Sequence, residues 1–373
     1  MKGKLREVAG VFLKMGIFAF GGPAAHIAMM EREIIEKRKW MSHEHFLDLI
    51  GATNLIPGPN STEMTMHCGH EYAGRSGLFV AGISFITPAI LITGTLAWLY
   101  VSYGSLPEVA PFLVGIKPAI LAIIAQAVLK LGKKAFKKTV HYIIGALVLA
   151  ACLLGLNEVT AILGAGFVGM LIYLARNKGN LNTMAWLPWI LGSSTIGFIN
   201  DKSLQVFLIF LKVGSILYGS GYVLFAYLDA ELVDRGLLTY GELMDAIAVG
   251  QMTPGPVLST ATFIGYQLNE WSGALAATAG IFLPSFLFVL LLNPVIPKLR
   301  KSQLFAAALD MVNVAAMSVM AAVLLQMTWE TCTSWQNILV AAVSFLLVFK
   351  FSKISTPWIV VQGALLGYVL QLI

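Results

Sequence analysis

The sequence has little charge and little cysteine for its length. Charged residues make up 12% of the 373 residues and hydrophobic residues 58%, whereas soluble domains have about 25% charged and about 45–50% apolar residues. A soluble enzyme is therefore not expected. At about 20 apolar residues per membrane-spanning helix, the apolar content is enough for roughly ten spans with little left over. The composition predicts an integral membrane protein.

Other absences narrow the function further. The three cysteines, Cys68, Cys152 and Cys332, lie far apart without a CxxC pair, so we expect neither a disulfide framework nor a zinc site. The chain has no Walker A sequence, which argues against ATP as an internal energy source. The net charge of +6 comes from basic residues in short loops between apolar runs, a pattern that sets membrane topology and does not indicate nucleic-acid binding.

Ten long apolar runs predict membrane-spanning helices. They are 8–28, 78–103, 109–129, 140–156, 159–175, 204–228, 272–294, 303–327, 336–349 and 357–372. Two less apolar stretches, 42–72 and 239–267, are each broken by Pro-Gly-Pro, and 184–200 is short and ambiguous. We predict an all-α integral membrane protein with about ten transmembrane helices and two broken, re-entrant Pro-Gly-Pro hairpins.

The chain repeats itself at a spacing of about 197 residues, and such internal repeats indicate the architecture. FLKMGIFAFGG, at 12–22, reappears as FLKVGSILYGS at 210–220. The matches fall on Lys, Asp, Gly and Pro, whereas chance similarity between apolar helices would match Leu, Val and Ala. We predict a first repeat at 1–180, a linker at 181–203 and a second repeat at 204–373.

The basic loops predict that the two repeats are inverted. The loops 130–138 and 298–301 should both be cytoplasmic, so helices 78–103 and 272–294 point in opposite directions. With ten spans and two hairpins, 18 of the 25 Lys and Arg residues lie inside, and Lys2, Lys4, Arg6 and Arg235 lie outside. An alternative with 13 spans gives a similar tally and stays open. We favour hairpins because each arm has about 14 residues, or ~21 Å of helix.

The two Pro-Gly-Pro breaks are the first candidate for a binding site. Each removes backbone donors from a helix, which is costly in lipid unless the break lines a cavity. The helix that restarts at Asn60 offers free N–H groups and polar side chains to an oxyanion. Paired broken helices in two halves are typical of a transporter's binding site. The alternative is a surface turn that binds nothing.

Two lysines inside apolar runs form a second candidate. Lys14 and Lys212 each precede a glycine, Gly21 or Gly219, by two helical turns. A pair of such cations would suit a tetrahedral dianion, although both lysines could instead extend to the membrane surface. Small residues around Gly21 could equally serve helix packing. Lys117 is a weaker candidate because its repeat region holds Asp310 and Asn313.

A third candidate lies on one helical face. Glu63, His67 and His70 follow at i, i+4 and i+7, a spacing that suits a divalent metal or a proton relay. The second repeat has Ser259, Phe263 and Tyr266 there, so no symmetric support exists for a metal. An intramembrane metalloenzyme is the alternative from a different functional class.

Several motifs closely resemble the chromate ion transporter family. They are FGGPAAHI at 20–27, Arg38-Lys39-Trp40, NLIPGPNSTE at 54–63, the turn at 74–77 and TPGP at 253–256. The resemblance covers almost the whole chain as two copies of that family's domain. It implies a multi-pass carrier of the bacterial cytoplasmic (inner) membrane that exports chromate, driven by the proton gradient or by exchange for sulfate, and confers chromate resistance. The second copy departs from the pattern at Ser220-Gly221.

These candidates together give the expected substrate-binding residues. They are Lys14, Gly21, Gly22, Pro23, His26, Asn54, Pro57, Gly58, Pro59, Asn60, Ser61, Thr62, Glu63, Lys212, Gln251, Thr253, Pro254, Gly255, Pro256 and Ser259. We expect no catalytic residue, cofactor or metal. Chromate and sulfate are the expected substrates, protons a coupling ion, the lipid bilayer the surroundings and a homodimer one assembly. A sulfate or other oxyanion carrier is the alternative.

Overall fold

A computed structural model describes residues 2–20, 22–53, 56–104, 110–176, 201–217, 223–292, 302–351 and 354–371. This part of the chain contains 14 α-helices and no strand, which confirms the predicted all-α membrane fold. The first seven are α1 (Lys2–Phe18), α2 (Gly22–Met30), α3 (His43–Thr53), α4 (Asn60–Tyr103), α5 (Ala110–Ala135), α6 (Thr139–Leu153) and α7 (Glu158–Arg176). The others are α8 (Lys202–Ile216), α9 (Leu224–Leu228), α10 (Tyr240–Met252), α11 (Thr260–Leu292), α12 (Gln303–Thr331), α13 (Trp335–Lys350) and α14 (Thr356–Gln371).

The helices follow the same order in both halves. π-Helical turns extend α2 over Glu31–Lys37 and α9 over Asp229–Val233, and a 3₁₀ turn, Val257–Ser259, precedes α11. Within the described ranges, five helical segments are long and apolar enough to cross a membrane: 60–103, 111–135, 158–176, 257–291 and 303–331. Helices α6 and α13 are shorter apolar helices. The ambiguous segment 184–200 lies outside the described residues.

Helices α4 and α11 each reverse direction at a sharp kink. Gly74 has φ 65° and Glu270 has φ 49°, both in the left-handed region. A methyl group at Gly69 would overlap the backbone of Gly77, so the two arms of α4 pack side by side with their backbones in contact. We call the arms α4a (60–72), α4b (75–103), α11a (260–268) and α11b (271–292).

The Pro-Gly-Pro tripeptides form the tips of re-entrant hairpins, as the sequence predicts. Helices α3 and α4a lie antiparallel, because His45, near the start of α3, is 3.1 Å from Glu71, near the end of α4a. A helix cannot continue through Pro57-Gly58-Pro59, since the prolines lack N–H donors and Gly58 has φ 138°. Gly255 likewise has positive φ, 88°, at the tip between α10 and α11a.

The structure differs from the sequence prediction at 8–28 and 204–228, which were expected to span the membrane. Glu7 in α1 accepts hydrogen bonds from Trp40 (3.3 Å) and from Tyr72 (2.7 Å). The start of α1 therefore lies beside the chain that follows α2, and α1 and α2 are antiparallel. In the second half, Tyr227 reaches back to the carbonyl of Ile216 (3.1 Å). Each segment is a helical hairpin, not a single span.

This reversal corrects the predicted position of the N-terminal charges. Lys4 donates to the carbonyl of Tyr72 (3.5 Å), the last residue of α4a, which lies next to the start of α4b. Tyr100, near the end of α4b, and Lys117, near the start of α5, both contact Asp245 (2.7 and 3.5 Å). Helix α5 therefore starts where α4b ends and runs in the opposite direction. The N-terminus therefore lies at the same end as the lysine-rich loop 130–138, and not at the opposite end.

The helices form two groups. One contains α1–α4 with α8–α11, and the other contains α5–α7 with α12–α14. Equivalent helices α4b and α11b cross antiparallel, because Phe79 stacks on Phe286 (5.7 Å) while Gly94 packs against Trp271. In the second group, α5 packs on α13 and α14, and α12 packs on α6 and α7, so the repeats interlock. Glycines permit close approach, as at Gly115 and Gly363.

Candidate functional site

Each Pro-Gly-Pro tip is held by the other repeat. The N–H of Gly58 donates to the carbonyl of Leu217 (2.6 Å), and the N–H of Gly255 donates to the carbonyl of Ala19 (3.0 Å). Ala19 and Leu217 occupy equivalent positions, just after α1 and α8. Both tips, which we call the first apex (57–59) and the second apex (254–256), are buried. The two repeats therefore exchange matching hydrogen bonds in the interior of the protein.

Six buried polar side chains with an unpartnered polar atom in the described part of the chain lie on the helical segments next to the two apices or packed against them, whereas others, such as Glu158 on α7 and Gln362 on α14, lie elsewhere. We call this set the apex cluster: Thr62, Glu63, His67, Gln251, Ser259 and Ser285. Each is at least nine-tenths buried. Buried polar atoms are almost always hydrogen-bonded, and an unpaired one is costly. Such a concentration indicates a place that binds a ligand, a proton or water.

Glu63 is the most unusual member of the apex cluster. Its side chain is 0% exposed, and both carboxyl oxygens have no hydrogen-bond partner among the described residues. A methyl group at Gly58 would overlap Glu63 Oε1 and Ser285 Oγ. The carboxyl group therefore fills the space directly beside the first apex, where only glycine fits.

The first turn of α4 already uses two of the N–H groups that the sequence offered to an oxyanion. Thr62 and Glu63 donate their N–H groups to the carbonyl of Pro59 (2.8 and 3.0 Å). At the second apex, Ser259 donates to Pro256 in the same way (3.0 Å). Fewer backbone N–H groups are therefore left to bind an oxyanion than the sequence predicts, and side-chain donors become more important.

His26 lies beside the second apex. Its Nε2 is 3.1 Å from the carbonyl of Ala19, the same oxygen that accepts from Gly255. Since a carbonyl only accepts, Nε2 carries the proton. The ring meets Phe85 edge-on (5.4 Å). His26, from the first repeat, thus helps to position the second apex.

The structure does not bring the two candidate lysines to the apex cluster. Lys212 forms an ion pair with Glu231 (2.6 Å), which also contacts Arg235 (2.7 Å). Lys14 is exposed and lies near Glu33. The pKa of Glu33 is lowered mainly by its hydrogen bond to Lys37, with a smaller effect of Lys14. The role of both lysines in binding stays a prediction.

The face that carries Glu63, His67 and His70 does not assemble a metal site. Within the described ranges, no three His, Cys, Asp or Glu side chains are grouped closely enough to hold a metal ion. His67 is fully buried, whereas His70 lies toward Glu71 (3.8 Å). The two histidines therefore have different surroundings despite their regular spacing.

Other predicted residues take up structural roles around the apices. Pro23 is in the first turn of α2, and Thr253 donates to the carbonyl of Val249 (2.8 Å). Gly21 and Asn54 lie outside the described residues. Gly22 begins α2, Asn60 and Ser61 begin α4 directly after the first apex, and the four prolines of the two apices are Pro57, Pro59, Pro254 and Pro256. Sequence reasoning missed Ser285, whose counterpart in the first repeat is Ala89.

Comparisons with known proteins follow the same division into repeats. A family model described as chromate transporter matches residues 6–170 and again residues 204–368. The chromate transport protein of Cupriavidus metallidurans is 29% identical over 374 residues, which cover 98% of this chain and 93% of that protein. The chromate transport protein of Pseudomonas aeruginosa is 29% identical, with 96% and 90% covered. An uncharacterized transporter of Methanocaldococcus jannaschii is 28% identical, with 96% and 92% covered. No solved structure gives a significant match.

Proposed function

Since the chain belongs to the chromate transporter family, we propose that it moves chromate across a membrane through a binding site at its two apices. The observation that supports this site most directly is the apex cluster, a set of buried hydroxyl, amide, imidazole and carboxyl groups without partners in the described chain. These groups lie where two broken helices meet, and broken helices in paired repeats are the usual place of a transporter's substrate site.

The chemistry of the cluster suits an oxyanion. Chromate is a tetrahedral dianion whose oxygens only accept hydrogen bonds. Thr62, Ser259 and Ser285 each offer a hydroxyl donor, Gln251 an amide and His67 a ring N–H. In a buried site, such neutral donors bind an anion strongly because water does not compete. Sulfate has the same charge and shape, so a sulfate or other oxyanion carrier is the second candidate.

The antiparallel crossing of α4b and α11b supports inverted repeats, with the first at 1–180 and the second at 204–373. A site between inverted repeats can open alternately to each side when one group of helices moves against the other. We propose that the protein exports chromate from the cytoplasm of a bacterial cell, driven by proton coupling or by exchange for sulfate. Chromate resistance is the consequence. A homodimer is one assembly for this carrier. We do not propose the metalloenzyme.

Uptake of labelled chromate and sulfate into proteoliposomes tests this proposal. Ser259→Ala combined with Ser285→Ala should raise the half-saturating chromate concentration about a hundredfold or more, because each of the two lost hydrogen bonds to a charged group contributes roughly 1.5–3 kcal/mol. Ser318→Ala is the matched control, since Ser318 is buried and bonds only within its own helix among the described residues. Transport of neither anion by the unmodified protein would contradict the proposal.

A further inference from the structure

We infer that Glu63 binds a proton together with the oxyanion, so that one proton and one dianion cross in the same direction. This inference rests on the proposed function, and it adds the identity of the proton-binding residue and the sense of coupling. Three observations carry it: the burial of Glu63 against Gly58, the absence of a cation beside it in the described residues, and the different residue in the second repeat.

The first observation is the position of the carboxyl group. Glu63 is completely buried, and its oxygens lie beside Gly58 and the unpartnered hydroxyl of Ser285. Any oxyanion bound at the first apex must therefore lie close to this carboxyl group. An anion and an ionised carboxylate repel each other strongly in a buried site.

The second observation is that the charged groups around α4 are engaged elsewhere. Among the described residues, the Lys and Arg side chains on α4 and on the elements packed against it are Lys2, Lys4, Arg6 and Lys14 on α1 and Arg75 on α4, and all five are exposed. The other titratable groups there, besides Glu63, are Glu7 on α1, His26 on α2, His43, Glu44, His45 and Asp48 on α3, Tyr240, Glu242 and Asp245 on α10, Tyr266 and Glu270 on α11, and His67, Cys68, His70, Glu71, Tyr72, Tyr100 and Tyr103 on α4 itself. Glu7 pairs with Arg38, His45 with Glu71 and Asp245 with Lys117, and Lys14 is exposed. No ion pair between described residues includes Glu63.

These surroundings determine the charge balance when the dianion arrives. With Glu63 ionised, the site would hold three negative charges without a paired cation among the described residues. When Glu63 takes a proton, a new O–H bond neutralises the carboxylate, and the acid can donate that hydrogen to an oxyanion oxygen. The proton leaves Glu63 when the dianion leaves. Proton and oxyanion therefore bind in the same step and are released on the same side.

The third observation is the asymmetry of the repeats. At the matching position the second repeat has Ser259, which is buried but whose hydroxyl does not ionise at physiological pH. One proton therefore accompanies one dianion, and the pair carries a net charge of −1. A membrane potential that is negative inside drives such a charge outward. Export then needs no opposing proton movement, because the electrical force on the complex favours it.

Proteoliposomes that contain a trapped pH-sensitive dye, with the membrane potential clamped by potassium and valinomycin, test the coupling. Outward chromate flux should carry protons outward at about one proton per chromate. Chromate affinity, measured as ligand-dependent thermal stabilisation, should fall about tenfold per pH unit once Glu63 ionises in the free protein. Opposite proton movement, or none, would overturn the inference while leaving chromate transport established.

Glu63→Gln isolates the residue, because the amide is neutral and keeps a donor of similar size. The variant should bind chromate with altered affinity, but its proton flux should disappear and its affinity should lose the pH dependence assigned to Glu63. Protonation of chromate itself would persist in this variant. Glu71→Gln, two turns along the same helix and partly exposed, should keep both properties. If Glu63→Gln does not fold, the proton flux of the unmodified protein still decides whether proton and oxyanion cross in the same direction. Failure of the unmodified protein to carry any oxyanion would remove the proposed function itself.

Discussion

The ammonium group of Lys117 lies 3.5 Å from the carboxylate of Asp245. Tyr100 donates to the same carboxylate oxygen at 2.7 Å. Lys117 is on α5 and Asp245 on α10, so this contact joins the two groups of helices. The Asp245 side chain is only 6% exposed. The position of the hairpin that carries the second apex therefore depends on a nearly buried ion pair.

Lys117→Met should destabilise the protein by about 3–5 kcal/mol, because it leaves the buried Asp245 carboxylate without its cation. Adding Asp245→Asn should restore much of that loss, since the amide can still accept from Tyr100 without a charge. Lys133→Met, an exposed lysine on the same helix, is the control. Thermal unfolding in detergent is the measurement, and equal effects of the two lysine variants would contradict the role of the pair.

Alanine at either apex glycine should abolish transport. Gly58 and Gly255 have positive φ, and a methyl group at Gly58 would also overlap Glu63 and Ser285. The left-handed conformation alone costs a non-glycine residue about 1–2 kcal/mol, and the overlap adds to it. Gly155→Ala separates the two effects, because Gly155 has φ 94° with open space around it. Chromate uptake that is normal in Gly58→Ala but reduced in Gly155→Ala would refute this account.

The two intramembrane lysines should respond differently to removal of their charge. Lys14→Gln should change the half-saturating chromate concentration less than about twofold, because an exposed side chain contributes little. Lys212→Gln should lower stability more than affinity, because it leaves buried Glu231 with Arg235 as its cation among the described residues. Uptake and unfolding measured side by side separate these effects. A tenfold loss of affinity in Lys14→Gln would return that lysine to the binding site.

Much of the fold can be predicted from the sequence because the repeated residues are chemically distinctive. A Pro-Gly-Pro tripeptide stops a helix, whereas the single prolines Pro88, Pro118 and Pro284 lie inside helices. Pro57-Gly58-Pro59 and its copy therefore mark the apices without knowledge of the tertiary structure. Glu63 and Ser259 follow directly and are found for the same reason. The helix content can be predicted from hydropathy, because a long apolar run forms a buried helix whether lipid or protein surrounds it.

The remaining features depend on contacts that hydropathy does not encode. Apart from Lys14 and His26, residues 8–28 are all apolar or small, so their hydropathy is equally compatible with one continuous span. Spacing places Lys212 on a helical face, but its partner Glu231 comes from the next helix. Ser285 is a single hydroxyl in an apolar run. Because Ala89 stands at the matching position, comparison of the repeats does not indicate a polar site there. These errors arise where helices pack on one another.

Cysteine labelling can test the reversal between α1 and α2. Lys4 contacts the carbonyl of Tyr72 at the end of α4a, next to the kink after which α4b begins. Ser272 lies beside the α11 reversal, and its neighbour Trp271 packs against Gly94. Gly74 and Gly94 are separated by about 30 Å of helix at 1.5 Å per residue, roughly the thickness of a membrane's hydrocarbon core.

In a background without Cys68, Cys152 and Cys332, Lys4→Cys and Lys134→Cys should therefore react with a membrane-impermeant maleimide from one side, and Ser272→Cys from the other. The positive-inside rule makes the first side cytoplasmic, because the N-terminal lysines and the loop 130–138 then lie together. Intact and permeabilised cells distinguish the two sides. A single span at 8–28 requires the opposite result for Lys4→Cys, which would then label from outside together with Ser272→Cys. That outcome would mean that α1 and α2 form one membrane-spanning helix, and Ala19 could not lie at the second apex.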